Sequence, residues 1–201
     1  MAEKAKQAGA FVRRKIVEMR ESWDKSTARA VRAALARLRR GVGKAPGSMP
    51  ELWGATLGGL PLELVGTEPK PSYGEWAVYT ALTLYALHQQ GKDPRDQCMS
   101  REGESLGTAV RRLAAIDENR EAAVTRRFSA AVTADSFEEF THHLRGLIEL
   151  LKAHDLPIDY PALAEDLYRF RIPVLRDGVR LQWGRDFYRL SNDEIQSKKA
   201  Q

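Results

Sequence analysis

Apolar residues recur along this chain at intervals of three and four, the spacing that lines one face of an α-helix. The clearest stripe is Phe137, Phe140, Leu144, Leu147, Ile148 and Leu151. It follows "SFEE", where Ser136 at the N-cap accepts from the N3 amide and Glu139 reaches back, a capping box. Phe11, Ile16 and Met19, with Lys15 beside them, predict a first helix from Phe11 to about Glu21. Val31, Leu35 and Leu38 predict a second, which Ser26 can cap and which runs to Arg40. Further stripes are Leu106, Ala109, Val110, Leu113 and Ile116; then Val124, Phe128 and Val132 after Asp117; then Tyr160, Leu163, Ala164 and Leu167. A last helix carries Val179, Trp183, Phe187 and Leu190, and residues 191–201 read as a frayed tail.

One segment breaks the amphipathic rule. "YGEWAVYTALTLYALHQQG" is apolar on every side, which marks a helix at the centre of a fold. His88 falls in its last turn, and Gly91 suits the left-handed C′ position behind it. Residues 41–50 form a Gly/Pro loop, "ELWGATLGG" leaves room for a short helix, and "PLELVGTEPKPS" is irregular. Strand signals are almost missing, and no period of 20–50 residues repeats, which argues against a solenoid. The predicted class is all-α.

The 201 residues suffice for one domain of ordinary size or two small helical lobes. Charge is spread unevenly. Residues 1–47 hold 13 Lys/Arg against 4 Asp/Glu, a net of +9, whereas the rest hold 19 against 23, a net of −4. A basic arm on a nearly neutral body implies a polyanionic partner, whether DNA, RNA or acidic lipid. Cys98 is the only cysteine, which excludes an internal disulfide and CxxC zinc sites and fits a reducing, cytoplasmic setting. The start lacks an apolar signal core, and no uncharged run reaches the roughly 20 residues of a membrane span, so no membrane partner is expected.

Enzyme signatures fail. There is no GxxxxGK[ST] loop and no HExxH, and Gly58–Gly59 lacks the strand–turn–helix setting of a dinucleotide site. His142 and His143 are adjacent, so on a helix they diverge by about 100° and do not face one metal. His154 beside Asp155 suits a helix end, and His88 reads as a buried hydrogen-bonded residue or a helix-end cation. Asp159 reads as a cap, while Glu165 and Asp166 fit a solvated face. No catalytic residue, metal or cofactor is expected.

The arginines carry the positive signal. "LGTAVRRLAAI" and "AVTRRFSAAV" share a layout in which Arg111–Arg112 and Arg126–Arg127 follow a core residue by one or two places. At about 100° per residue, Arg127 flanks the stripe of Val124 and Arg126 points away from it. Arg39 and Arg40 end the second helix, Arg145 leaves an otherwise acidic face, and Arg176 and Arg180 lie one turn apart. Arginine's planar fork binds phosphate oxygens bidentately, so this preference over lysine favours a phosphate backbone; intrahelical ion pairs are the competing explanation at each position. With no ladder of exposed aromatics and no base-reading helix, the expected contact is indifferent to sequence.

"WAVYTALTLYALHQQG", "GESLGTAVRRLAAI", "TRRFSAAVTADSFEEFTHHLRGLIELLK", "IDYPALAEDLYRF" and "VRLQWGRDFYR" occur in the order seen in the CasB family, from roughly Trp53 to Tyr188. The chain thus resembles the small subunit of the type I-E CRISPR Cascade surveillance complex. The resemblance implies a non-enzymatic helical bundle arranged as two small lobes, here residues 1–100 with the basic first helices and 101–201. It implies as partners a second copy paired head to tail, the large and backbone subunits, CRISPR RNA, target DNA and the displaced DNA strand. The basic residues within matched segments are Arg39, Arg40, Arg111, Arg112, Arg126, Arg127, Arg145 and Arg180, with "TRRF" foremost. Two rival readings are a helical protein-interaction scaffold whose arginines meet acidic proteins, and a free-standing DNA-binding regulator.

Overall fold

Capping side chains set most of the helix starts. The computed structural model describes residues 1–24 and 26–199, the side chains of residues 118 and 190–199 apart. Among the described residues there are nine α-helices: α1 (Ala2–Glu21), α2 (Ala28–Arg40), α3 (Trp53–Thr56), α4 (Tyr73–His88), α5 (Leu106–Ala115), α6 (Glu118–Thr133), α7 (Phe137–Ala153), α8 (Tyr160–Phe170) and α9 (Pro173–Lys199). Ser105, Asp117, Ser136 and Asp159 each accept an amide hydrogen bond at the start of α5, α6, α7 and α8. A parallel bridge between Ser100 and Ile158 is the one β pairing among these residues. The fold is all-α, as the periodicity predicts.

Three local expectations are corrected. Ser26 does not cap α2; the Asp24 carboxylate accepts from the Ser26 amide and hydroxyl and from the Thr27 amide, so the turn is held one step earlier. Glu139 reaches back past Ser136 to the Asp135 amide at 3.0 Å. The complete capping box lies instead on α4, where Ser72 accepts from Glu75 and Glu75 accepts from Ser72. Gly91 has φ +82°, two residues beyond the Gln89 cap of α4. The tail expected over 191–201 is instead helical as far as Lys199, the end of α9, while the side chains of 190–199, Leu190 among them, and all of 200–201 lie outside what is described.

α4 is buried on nearly all sides, packed by α1, α2, α7 and α8. α8 lies against α1 and α4 on one side and α9 on the other, while α5 packs on α6, α7 and α9. The α5–α9 crossing is close: a Cβ on Gly107 would stand 2.3 Å from the Trp183 carbonyl oxygen, so only glycine fits. The predicted stripe of α7 is buried throughout. Its Phe140 ring stacks at 4.3 Å on Phe170 and at 5.4 Å on Trp183, joining α7, α8 and α9 in one aromatic core.

Asp166, expected on a solvated face, belongs to this core's edge. Its side chain is only 20% exposed, and it accepts from the Trp183 indole at 2.7 Å and from Arg169 at 3.3 Å. Burial pushes its pKa up to about 6 despite those donors. Because the folded value lies above the unfolded one, the protonated acid stabilises the fold fully below about pH 4, and that stabilisation fades as pH rises through 6. Asp166→Asn keeps an acceptor for Trp183 without a charge. Urea unfolding across pH 4–7 should show the native chain losing about 2–3 kcal/mol relative to this variant; parallel curves would refute the assignment.

His88 is buried at the end of α4, its Nδ1 3.1 Å from the Tyr160 hydroxyl, which donates onward to the Leu84 carbonyl. Burial holds its pKa down at about 4, so it is a neutral core histidine.

Candidate nucleic-acid interface

α2 reads "ARAVRAALARLRR", five arginines in thirteen residues with no acid. Ala28, Val31, Leu35 and Leu38 are buried, which turns Arg29, Arg32, Arg37 and Arg40 outward and leaves Arg39 at the edge. With no carboxylate three or four places away, α2 cannot neutralise itself. Among the described residues, Arg40 alone of the five finds an ion-pair partner, Glu51 at 3.5 Å. Arg32 lies over the Trp23 ring at 4.8 Å, and the Trp23 indole donates to Asp93 at 2.7 Å.

Arg32 and Arg39 line one wall of a cleft of about 630 Å³, faced by the α4 end from Gln89 to Asp93. The facing polar groups are occupied internally. Gln89 donates to the Lys92 and Gln97 carbonyls and accepts from the Met99 amide, Lys92 pairs with Asp155, and Asp93 holds Trp23. Arg32 and Arg39 are therefore the cations this cleft offers a ligand, beside an Asp93 carboxylate whose donors, the Trp23 indole and the Arg95 amide, are neutral.

The second basic surface is on α6. Val124, Phe128 and Ala131 are buried, and Phe128 stacks on Phe187 of α9 at 4.9 Å. That anchor leaves both Arg126 and Arg127 exposed, and neither makes an ion pair or hydrogen bond with a described residue. Arg127 lines a groove of about 380 Å³ against His142, His143, Gly146 and Glu149 of α7. Glu149 is held by Arg145 at 3.1 Å, so it does not neutralise Arg127. One turn beyond Glu149, Lys152 donates to Gln90, which lines the first cleft. α7 thus runs from one basic surface to the other.

The remaining sequence candidates are engaged. Arg111 is 14% exposed and bonds Glu121 at 2.6 Å, tying α5 to α6; Arg112 bonds Glu104 at 2.8 Å. The two arginine pairs therefore share a sequence layout but not an environment. Arg180 pairs with Asp177 and donates to the Ala134 carbonyl at 2.7 Å, while Arg176 donates to the Phe170 and Asp135 carbonyls. These two clamp the α6–α7 turn onto α8 and α9. Intrahelical pairing, the competing explanation, holds for Arg145 and in part for Arg180. Arg29, Arg32 and Arg37 were not singled out by the sequence reading, although the absence of acid across 28–40 marks them.

No group of three or more His, Cys, Asp or Glu side chains among the described residues is placed to hold a metal ion. Among the same residues, no helix is long and apolar enough to cross a membrane.

Residues 34–188 match the family model described as CRISPR-associated protein Cse2. The crystal structure of CasB from Thermobifida fusca superposes with a TM-score of 0.73 at 35% identity, covering 90% of this chain and 98% of that one. M. ruber CasB aligns at 25% identity and TM-score 0.64, covering 94% and 97%. A CRISPR-associated Cse2-family protein from Thermus thermophilus, at 24% identity and TM-score 0.65 over 90% and 97%, shares the fold. No curated protein matches the chain.

Proposed function

The chain belongs to the CRISPR-associated Cse2 family, and from that premise we propose that it is a non-catalytic small subunit of a cytoplasmic type I-E Cascade surveillance complex. In this reading it assembles with a second copy and with the large and backbone subunits. It stabilises the hybrid of guide RNA and target DNA, and the displaced strand, through basic side chains. Exchange of a DNA duplex for an RNA–DNA hybrid is nearly balanced in free energy, so a few protein–phosphate contacts tip it forward. Phosphate contacts carry no sequence information, which suits a subunit whose guide does the reading.

The observation that carries the proposal is the uncompensated charge on two linked surfaces: Arg32 and Arg39 at the α2 cleft, Arg126 and Arg127 beside α7. Arg40, Arg111, Arg112, Arg145 and Arg180 remain candidates that would first have to leave an internal partner. They rank behind the uncompensated four.

The test replaces Arg126 and Arg127 together with alanine in the assembled complex. Target affinity is expected to fall roughly 25- to 60-fold at 0.1 M salt, equally for every target sequence, and the loss should shrink as salt rises. Circular dichroism should be unchanged, because neither side chain has a partner among the described residues. Unchanged affinity across a salt series, with cross-linking to protein alone, would replace this reading with that of an interaction scaffold.

A further inference from the structure

Arg171 is the C-cap of α8, and its surroundings are unusual for a cation. The guanidinium lies 4.4 Å from the Phe137 ring centroid, 4.9 Å from Trp76 and 5.5 Å from Tyr73. Those rings, and the C-terminal end of α8, favour positive charge. They do not satisfy its N–H groups. Nε and Nη1 are buried without a hydrogen-bond partner, and no described residue accepts from Nη2. Burial pulls the pKa of the group below the usual arginine range, with the charge of Glu138 opposing the shift.

This guanidinium forms part of the wall of a cavity of about 580 Å³ where the start of α1, the 63–72 loop, the start of α4 and the end of α8 meet. The nearby carboxylates are committed elsewhere or face outward. Glu75 accepts the Gly66 and Ser72 amides, and Glu68 pairs with Lys70 at 3.2 Å. Glu63 is exposed on the lining. An anion entering here would meet Arg171 through Nη2, the one nitrogen of the group that is not fully buried, and Lys4, with the Tyr73 and Tyr168 rings beside them.

The rim says which kind of anion. Val65 on the lining is 42% exposed, and Leu62, beside the lining residue Glu63, is 86% exposed, so a small apolar patch adjoins a rim that also carries Lys4, Glu63, Glu68 and Lys70. Glu63 and Glu68 on the same rim oppose a polyphosphate backbone, which must present several charges in a row, but tolerate one isolated charge. We propose that this cavity is a docking site for a partner protein's acidic, apolar peptide segment, a single carboxylate meeting Arg171 while flanking aliphatic side chains cover Leu62 and Val65. The proposal rests on the reading that the chain works inside a multiprotein assembly, and not on the basic surfaces of α2 and α6.

The test follows the Arg171 Nε–H resonance of the full-length 15N-labelled chain during titration with acetyl-Ile-Glu-Leu-amide. The same peptide with glutamine, inorganic phosphate and a short oligothymidine are added in parallel. The glutamate peptide is expected to shift the resonance and to bind at least about tenfold more tightly than the glutamine peptide or phosphate, the worth of one charge-assisted contact. Acetyl-Ile-Gln-Leu with a free C-terminal carboxylate distinguishes the two sources of that group: a shift with it as well assigns the site to chain termini, a shift with the glutamate peptide alone to side chains.

Arg171→Met should abolish the preference for the charged peptide while keeping the melting temperature within a few degrees, since it removes a charge that has no hydrogen-bonded partner. No shift with any peptide overturns the proposal, and so does a shift of equal affinity with phosphate or oligothymidine. The titration of the unsubstituted chain decides this by itself, whatever the variant's stability. Failure here leaves the phosphate contacts of Arg126 and Arg127 untouched, because those are read by target affinity and salt dependence.

Discussion

Phe140→Ala is expected to lower the unfolding free energy by about 3–5 kcal/mol, the range for truncating a buried aromatic. Phe140 is fully buried and stacks on both Phe170 and Trp183, so its loss opens space where three helices meet. None of the three can close that space cheaply. α7 is fixed at its start by the Ser136 cap, α8 by Asp159, and α9 lies so near α5 that Gly107 admits no side chain. For a chain of this length the loss corresponds to a melting temperature about 10 °C lower. Calorimetry or urea unfolding checks it. A loss below about 1 kcal/mol, well under the range for a buried aromatic, would mean that the aromatic stack is not a shared core but three separate contacts.

The second large effect belongs to the basic surfaces. Replacing Arg32, Arg39, Arg126 and Arg127 together with alanine should lower target affinity of the assembled complex about 10³-fold at 0.1 M salt. The slope of log K against log salt should become shallower by about 3, following the 0.7–0.9 counterions released per neutralised phosphate. The magnitude follows from geometry. Among the described residues, Arg126 and Arg127 lack a partner, Arg32 is held by the Trp23 ring, and Arg39 makes no ion pair, so binding need not break an ion pair first. Arg111→Ala is the matched control. Its guanidinium is held against Glu121, so its removal should loosen the α5–α6 contact and change the salt slope less than the loss of any of the four uncompensated arginines. A quadruple variant with the native slope would remove phosphate contact from the function of these surfaces.

The same contrast separates what the two levels of description supply. Helix periodicity is local: a stripe such as Phe137 to Leu151 repeats within one segment, and its buried face can be read without knowing what covers it. Caps at Ser105, Asp117, Ser136 and Asp159 are local too, because a side chain bonds amides only two or three residues on. Where local rules failed they failed by small steps, as when Glu139 took the Asp135 amide or Asp24 took the role expected of Ser26.

By itself, then, the sequence determined the all-α class, the core face of most long helices, the central place of α4 and the presence of an arginine-rich surface. It missed the start of α1, where Ala5 and Ala8 are buried, and put the exposed Ile116 on the α5 stripe. Only the tertiary structure decided which arginines are uncompensated, because the partners come from other elements: Glu121 for Arg111, Glu104 for Arg112, the α6–α7 turn for Arg180. "LGTAVRRLAAI" and "AVTRRFSAAV" are equivalent as strings, yet one pair braces the fold and the other faces outward. Asp166 and Arg171 belong to the same class. Asp166 is a polar position on α8 and Arg171 is its C-cap, and both are drawn inward by aromatic rings contributed from other parts of the chain. Burial and pairing depend on what arrives from elsewhere, and no spacing within a helix encodes that.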